Sequence, residues 1–229
     1  MSKCEQCIIR KFSSLRALNK EELIKISGCK TSKVVKKGEV LFEEGDYLNG
    51  VYCIRDGACK LTKLSANGKN HIVKFITKGD LLGQRSVISD ESVNLSAVAV
   101  NDMEVCFIPR DEIMSSFKEN SEFSVEVVRD ICYDLKTSDD VTVNMAQKNV
   151  KQRLADSLLY LHDTFGEDAE GYIKIQLSRE EIAGMVGTAT ESLIRMLSEF
   201  GKKGLIEVKG KRIKIVSILK IQNVSDGIV

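Results

Sequence analysis

The chain has 229 residues, 34 basic against 33 acidic side chains and a formal net charge of +1. That length suits one large domain or two modest ones, and the even charge balance excludes a chain that is basic throughout, so any nucleic-acid surface has to be local. No apolar run reaches the ~20 residues of a membrane span, the start MSKCEQCIIRKFSS lacks a secretory apolar core, and seven cysteines are an odd number for a disulfide framework.

The expected setting is therefore the cytoplasm, away from membranes, with thiols that are reduced or bound to metal. From Lys33 to Pro109 short β-branched or alternating runs are punctuated by glycine: VVKKGEVLFEEGD, GVYCIRDG, ACKLTKLSANGK, HIVKFITKGD, LSAVAV and MEVCFIP. This spacing predicts an antiparallel sandwich or barrel, with Ala66-Asn67-Gly68-Lys69 as its clearest hairpin turn. Pro109 is the only proline, and from Asp111 to Gln147 the character turns helical. Val128, Ile131, Leu135, Ser138, Thr142 and Met145 follow steps of three and four, a heptad-like seam with a polar middle. It suits either a stripe packed on its own domain or a parallel dimer helix. A further helix from Val150 carries Leu154, Leu158 and Leu161 on one face, and a strand YIKIQL follows the loop FGEDAEG.

The stretch LSREEIAGMVGTATESLIRMLSEFGKKG holds two Ser/Thr-x-x-Glu signatures ten residues apart. Ser178 with Glu181, and Thr188 with Glu191, predict two capping boxes, with Gly187 as the turn between two helices. Leu193, Leu197 and Phe200 are expected to face the core, leaving Thr190, Glu191, Ile194, Arg195 and Ser198 outside. In a major groove Glu accepts from cytosine N4 and Arg pairs bidentately with guanine. The structural alternative makes Glu191 a mere cap, or an i, i+4 surface partner of Arg195. Downstream, LIEVKGKRIKIVS predicts two strands turning at Gly210, and seven bases between positions 201 and 220 meet only one acid, Glu207. The expected phosphate contacts are Ser178, Thr188, Lys209, Lys211 and Arg212.

On GEVLFEEGD, GVYCIRDG, KGDLLG and the helix-turn-helix stretch, in this order, the chain resembles the Crp/Fnr family of bacterial transcription regulators from about Leu15 to Ile215. The resemblance implies an α+β chain: an N-terminal antiparallel, jelly-roll-like β-roll (residues 1–118 with the N-terminal segment), a long dimerisation helix (119–147) and a C-terminal winged helix-turn-helix (148–229). It implies a homodimer on a two-fold symmetric double-stranded DNA site, with RNA polymerase as a partner in activation. Glu191 and Arg195 match the family's base-reading Glu and Arg. Thr190 stands where cyclic-AMP-responsive members have Arg, and Ile194 where Fnr-type members have Ser, which predicts a half-site distinct from both.

For the effector, the places that hold a ribose-binding Glu and a phosphate-binding Arg-Ser pair in cyclic-nucleotide-responsive relatives carry Gln84 and Leu95-Ser96 here. An apolar side chain does not neutralise a phosphate, which argues against a cyclic nucleotide, although Arg85 is an available substitute. The pair Cys4 and Cys7, with Cys106, resembles part of the iron–sulfur ligand set of Fnr-type oxygen sensors. Ser13 occupies the place of the remaining N-terminal cysteine, and Cys29 is the candidate fourth thiolate if the first helix folds back on the roll. A CxxC pair equally suits zinc or redox chemistry, or no metal. Cys53, Cys59 and Cys132 are expected as small core groups, and His71 and His162 as structural. An alternative to DNA binding is a metal-binding redox protein (iron–sulfur or zinc) whose winged domain makes protein contacts. No nucleophile motif or phosphate-binding glycine loop points to an enzyme.

Overall fold

The computed structural model describes residues 4–65, 68 and 70–228. Two compact units divide the chain, one of Met1–Lys63 with Val73–Thr137, the other of Leu64–Ile72 with Ser138–Val229.

The first unit begins with 3-10 turns at Cys4–Gln6, Ile8–Phe12 and Ser14–Ala17, then helix α1 (Lys20–Cys29). Asn19 and Glu22 cap α1 reciprocally, so the sequence NKEE itself dictates where the helix starts. Eight strands follow: β1 (Thr31–Val35), β2 (Val40–Phe42), β3 (Gly50–Asp56), β4 (Cys59–Leu64), β5 (Asn70–Ile76), β6 (Leu81–Leu82), β7 (Ser96–Ala99) and β8 (Met103–Pro109). They make two four-stranded sheets, ordered β1-β8-β3-β6 and β2-β7-β4-β5, and the pairs β1–β8, β8–β3, β3–β6, β2–β7 and β7–β4 run antiparallel. The expected roll is present, with the two-residue β6 and the six-residue helix α2 (Gln84–Ser89) added between predicted strands. The hairpin expected at Ala66-Asn67-Gly68-Lys69 lies outside the described residues except for Gly68.

In the first sheet the central strands β3 and β8 are largely buried on both faces, which is why they read as apolar runs, while the edge strand β1 is exposed except at Val35. Along β8, Met103 and Val105 enter the core between the sheets, while Cys106 and Ile108 turn the other way. There they meet Leu23 and Ile26 of α1, Ile113 of helix α3 (Arg110–Glu119) and Phe123 and Val127 of helix α4. Helix α4 (Ser121–Gln147) is 27 residues long, about 40 Å at 1.5 Å per residue. Asn120 separates α3 from α4, and its Oδ1 accepts the Phe123 N–H at 3.0 Å.

In the second unit Asn149 caps helix α5 (Val150–Phe165) through a reciprocal box with Gln152. Leu154, Leu158 and Leu161 are buried on one face, as their spacing predicts. The expected strand YIKIQL is not a regular strand. Ile173 makes one isolated bridge to Glu167 and donates its N–H to Ile213 O at 2.9 Å. The unit is completed by α6 (Arg179–Val186), α7 (Thr190–Lys202), the hairpin β9 (Ile206–Lys209) and β10 (Arg212–Ile215), and α8 (Ile218–Ser225).

Candidate nucleic-acid interface and effector pocket

The first of the two predicted capping boxes is formed. Ser178 Oγ accepts from the Glu181 N–H at 3.1 Å, and Glu181 Oε2 accepts from the Ser178 N–H at 2.7 Å. Ser178 is thereby committed to starting α6. Gly187 takes φ +68° at the end of α6, and the Thr188 N–H returns to Ala183 O at 3.0 Å, a glycine-dependent stop.

The second box is absent, and this corrects the sequence reading. The N-cap of α7 is Ala189, with no side-chain cap, so the helix begins one residue later than Thr188 would start it. Glu191 then lies in the first turn without bonding back to Thr188, where its charge suits the positive end of the helix.

Leu193, Met196, Leu197 and Phe200 are buried on the inner face of α7. Glu191, Ile194, Arg195 and Ser198 are exposed, Ile194 by 50%, and Thr190 is half-buried. Arg195 meets Ser192 Oγ at 3.2 Å, and no ion pair joins it to Glu191 among the described residues. The surface-pair reading of Glu191 and Arg195 is thus not realised, and both side chains project outward one turn apart.

Two arginines that the sequence reading passed over hold this pair of helices in place. Arg153 of α5 donates from Nε to Val186 O at 2.8 Å, from one terminal nitrogen to Lys148 O at 2.7 Å and from the other to Gly187 O at 3.3 Å. Arg179 of α6 donates to Gly210 O, at the tip of the β9–β10 hairpin, at 2.6 Å. Charge alone does not distinguish these bracing arginines from surface ones; except for Lys148 O, their partners are carbonyls about thirty residues away in sequence.

The wing is as predicted, with Arg212 opposite Lys209 and Gly210 at φ +62° between them. Lys209 and Lys211 are exposed at its tip. Arg212, expected on phosphate, is engaged elsewhere: it contacts Asp168 at 2.8 Å and Glu170 at 3.1 Å and lies 4.1 Å from the centre of the Tyr172 ring. Its guanidinium, raised further by these two carboxylates, holds the Asp168 carboxyl below the usual aspartate range. Tyr172 donates its hydroxyl to Glu207 at 2.5 Å, so the wing's single acid is spent inside the unit. Lys214 reaches Glu170 O at 3.0 Å.

In the roll, Arg85 and Ser96 of the degenerate effector positions are engaged in local bonds. Arg85 meets Asn94 Oδ1 at 2.9 Å and Glu91 at 3.9 Å, Leu95 packs on the core between the sheets, and Ser96 Oγ accepts the Glu44 N–H at 2.9 Å. Gln84 opens α2, its Oε1 buried without a partner.

The seam residues divide. Val128 and Leu135 are exposed by 48% and 62%, joined on one stripe by Val125 and Cys132. Cys132 is therefore not a core group, against expectation, because the buried face of α4 is the one carrying Phe123 and Val127. Ile131, one step round the helix, packs on the core of its own unit rather than on the stripe. Ser138 and Thr142 are exposed, with the Thr142 hydroxyl bonded to Ser138 O at 2.9 Å, and Met145 is half-buried near Gly187.

Cys53 and Cys59 are buried as expected, and burial pushes both thiols up to about 12; Cys53 also feels Cys106, Cys7 and Cys4. Helix α1 does fold back on the roll, yet Cys29 does not join Cys106. Its thiol bonds Ile26 O at 3.4 Å, and burial followed by Glu112 raises its pKa.

A glycine-turned helix pair with a buried inner face and a basic two-stranded hairpin define a winged helix-turn-helix in the second unit, and the first unit is a β-roll. Residues 32–120 match the cyclic nucleotide-binding domain model, and residues 152–223 match the Crp-like helix-turn-helix domain. The chain is 28% identical over 217 residues to the anaerobic regulatory protein of Haemophilus influenzae, covering 93% of this chain and 83% of that one. It is 27% identical over 229 residues to the transcriptional activator protein Anr of Pseudomonas protegens, covering 98% and 93%. Among solved structures, FixK2 from Bradyrhizobium japonicum superimposes with a TM-score of 0.76 at 22% identity, over 85% of this chain and 96% of that one. The chain belongs to the Crp/Fnr family of transcription regulators, with a helix-turn-helix domain for double-stranded DNA. No helix among the described residues is long and apolar enough to cross a membrane.

Proposed function

We propose that the chain works as a homodimer in the cytoplasm and reads a two-fold symmetric duplex site, with one α7 in the major groove of each half-site. The roll and N-terminal segment (1–118) sense the signal, 119–147 dimerises and 148–229 binds DNA. Glu191 and Arg195 read cytosine and guanine edges, Thr190 and Ile194 flank them, and Lys209, Lys211 and the uncapped Thr188 hydroxyl meet phosphates. Ile194 offers a methyl-lined surface to thymine in place of a hydroxyl. The single observation that carries the reading is the outward projection of Glu191 and Arg195 from the first turns of α7, each free of the other. The exposed stripe Val125, Val128 and Leu135 supports the dimer, because such a helix face is stabilised by a second copy of itself. RNA polymerase is the partner in activation that the family likeness suggests.

Binding-site selection from random duplexes tests the proposal. The expected product is an inverted repeat that matches neither the cyclic-AMP-responsive nor the Fnr-type half-site in full. Selection of a single unrepeated element would count against a dimer, and unchanged selectivity in a Glu191→Ala, Arg195→Ala variant would remove α7 as the reader.

A further inference from the structure

The chain crosses from α4 into α5 at Lys148, and that residue is held along its whole length. Its N–H returns to Asn144 O at 2.9 Å, and its carbonyl accepts from Arg153 at 2.7 Å. Its side chain runs forward along α5 to Asp156, eight positions on, where Nζ lies 2.9 Å from Oδ1. The same ammonium donates to Ser225 Oγ of α8 at 3.2 Å, and the Ser225 hydroxyl donates in turn to Asp156 Oδ1. Side chains from the joint, the middle of α5 and the end of α8 thus meet in one polar set.

The sequence ILKIQNVS brings α8 to this place, because the three-residue step from Ile221 to Val224 buries both where α8 lies along α5. Ser225 comes next and is only 6% exposed. Just beyond it Gly227 takes φ +74°, and a Cβ there would come within 2.8 Å of Gln152 Nε2, so the chain presses on α5 where a side chain has no room. Gln152 donates from that amide to Ser225 O at 3.4 Å, while its Oε1 accepts the Asn149 N–H at 2.9 Å and caps α5. The end of α8 is therefore bonded to the joint twice, through Lys148 and through Gln152.

Apolar burial of Ile221 and Val224 is enough to keep α8 on α5. It does not account for the polar set, which engages a residue ahead of the Asn149 cap and so outside α5 itself. The Lys148 and Asp156 side chains are 23% and 29% exposed, and Asp156 Oδ2 is buried without a hydrogen-bond partner among the described residues. Charges placed in this way are kept when paired, so Lys148 cannot leave Asp156 without stranding a carboxylate. Any change of angle between the last turns of α4 and the start of α5 moves Lys148. Bending the joint therefore has to break the set.

We propose that Lys148, Asp156 and Ser225 form a latch by which α8 fixes the α4–α5 joint, and that the three are positioning residues for the DNA-reading head. They act through the angle at which the pair α6 and α7 is carried, not through contact with DNA. The latch rests on the homodimer proposed above, since two heads held at fixed angles match one spacing of half-sites and loosened heads accept several.

The test measures binding of the full chain to three duplexes: the inverted repeat obtained by selection, the same repeat lengthened between its halves by about two base pairs, a fifth of a helical turn, and a single half-site. The native chain should prefer the first over the second. Ser225→Ala and Lys148→Met should each cut that preference by about 10-fold or more, the factor of one hydrogen bond to a charged group, with half-site affinity held within about 2-fold. Lys148→Arg, which keeps the charge and the donor, should retain the preference. Ser225→Ala strands no charge, so it decides the matter if Lys148→Met fails to fold. A lower melting temperature with the spacing preference intact would reduce the set to packing, and an equal loss on the half-site would place its effect in the reading surface; either overturns the latch. A native chain indifferent to spacing would remove the homodimer before any variant is compared, and the latch with it.

Discussion

Glu191 and Arg195 show how much a single helical turn decides. A good bidentate base contact discriminates by about 1–3 kcal/mol, or roughly 5- to 150-fold, whereas a surface ion pair between them would contribute only a few tenths. Because they are not spent on each other, Arg195→Ala should lower affinity for the selected site by that factor for each half-site and leave binding to unrelated duplex unchanged, as fluorescence anisotropy on matched probes would read. Arg212 sits at the other extreme, engaged by Asp168 and Glu170. With its carboxyl pKa lowered in the folded state, Asp168 contributes stability that is present above the unfolded value of about 3.9 and lost as pH falls through the folded one. Asp168→Asn should therefore flatten the acid limb of the stability profile, seen as a smaller drop in melting temperature between pH 5 and pH 3, on the order of those reference values. Both outward residues were legible in the sequence, because their positions follow from the period of the buried Leu193, Leu197 and Phe200. The engagement of Arg212 was not, since its partners lie more than forty positions away in a loop without periodicity.

Elements were more readable than their joints. Period-two strands, the 3.6-period helices and the Ser178 box announced themselves. The missed features are a two-residue strand, a six-residue helix and the start of α7, all too short for a pattern to build. YIKIQL alternates like a strand, but only Ile173 among its residues finds bridging partners, so the alternation marks burial of Tyr172, Ile173 and Leu177 rather than a ladder. On α4 Val128 and Leu135 of the heptad-like seam are exposed whereas Ile131 packs on the core of its own unit, because a long helix touching its own core on one side has two apolar stripes. Leu135→Glu should convert the proposed dimer to monomer in sedimentation at micromolar concentration without lowering helix content. Ser138→Leu with Thr142→Leu, which makes the polar middle apolar, should tighten association and change DNA affinity; no change in either would remove any adjustable role for that segment.

For the molecule as a whole, a near-neutral chain has to bind an acidic polymer through the local wing. Salt dependence measures this directly. Each phosphate contact contributes about 0.9 to the log–log slope on duplex DNA, and in a homodimer every substitution counts twice. Lys209→Ala with Lys211→Ala should thus flatten the slope by about 3.6; a change half as large would indicate one bound subunit. The turn at Gly210 and the run of bases located the wing from sequence, but thiol geometry was beyond such patterns. Cys53 looked like core filler, and only the pairing of β3 with β8 reveals that it stands beside Cys106.

Arg153 ties together two places that a signal would otherwise be free to move apart: the carbonyl of Lys148, where the chain passes into α5, and those of Val186 and Gly187, where the reading helices meet. One planar guanidinium thereby works as a strut, so a twist arriving along the chain should turn the DNA-reading head as a solid piece instead of reshaping it. Amide exchange at Gly187 and Thr188 should then stay equally slow whatever state the sensor is in, and should quicken, together with a loss of operator affinity, when Arg153→Ala removes the strut.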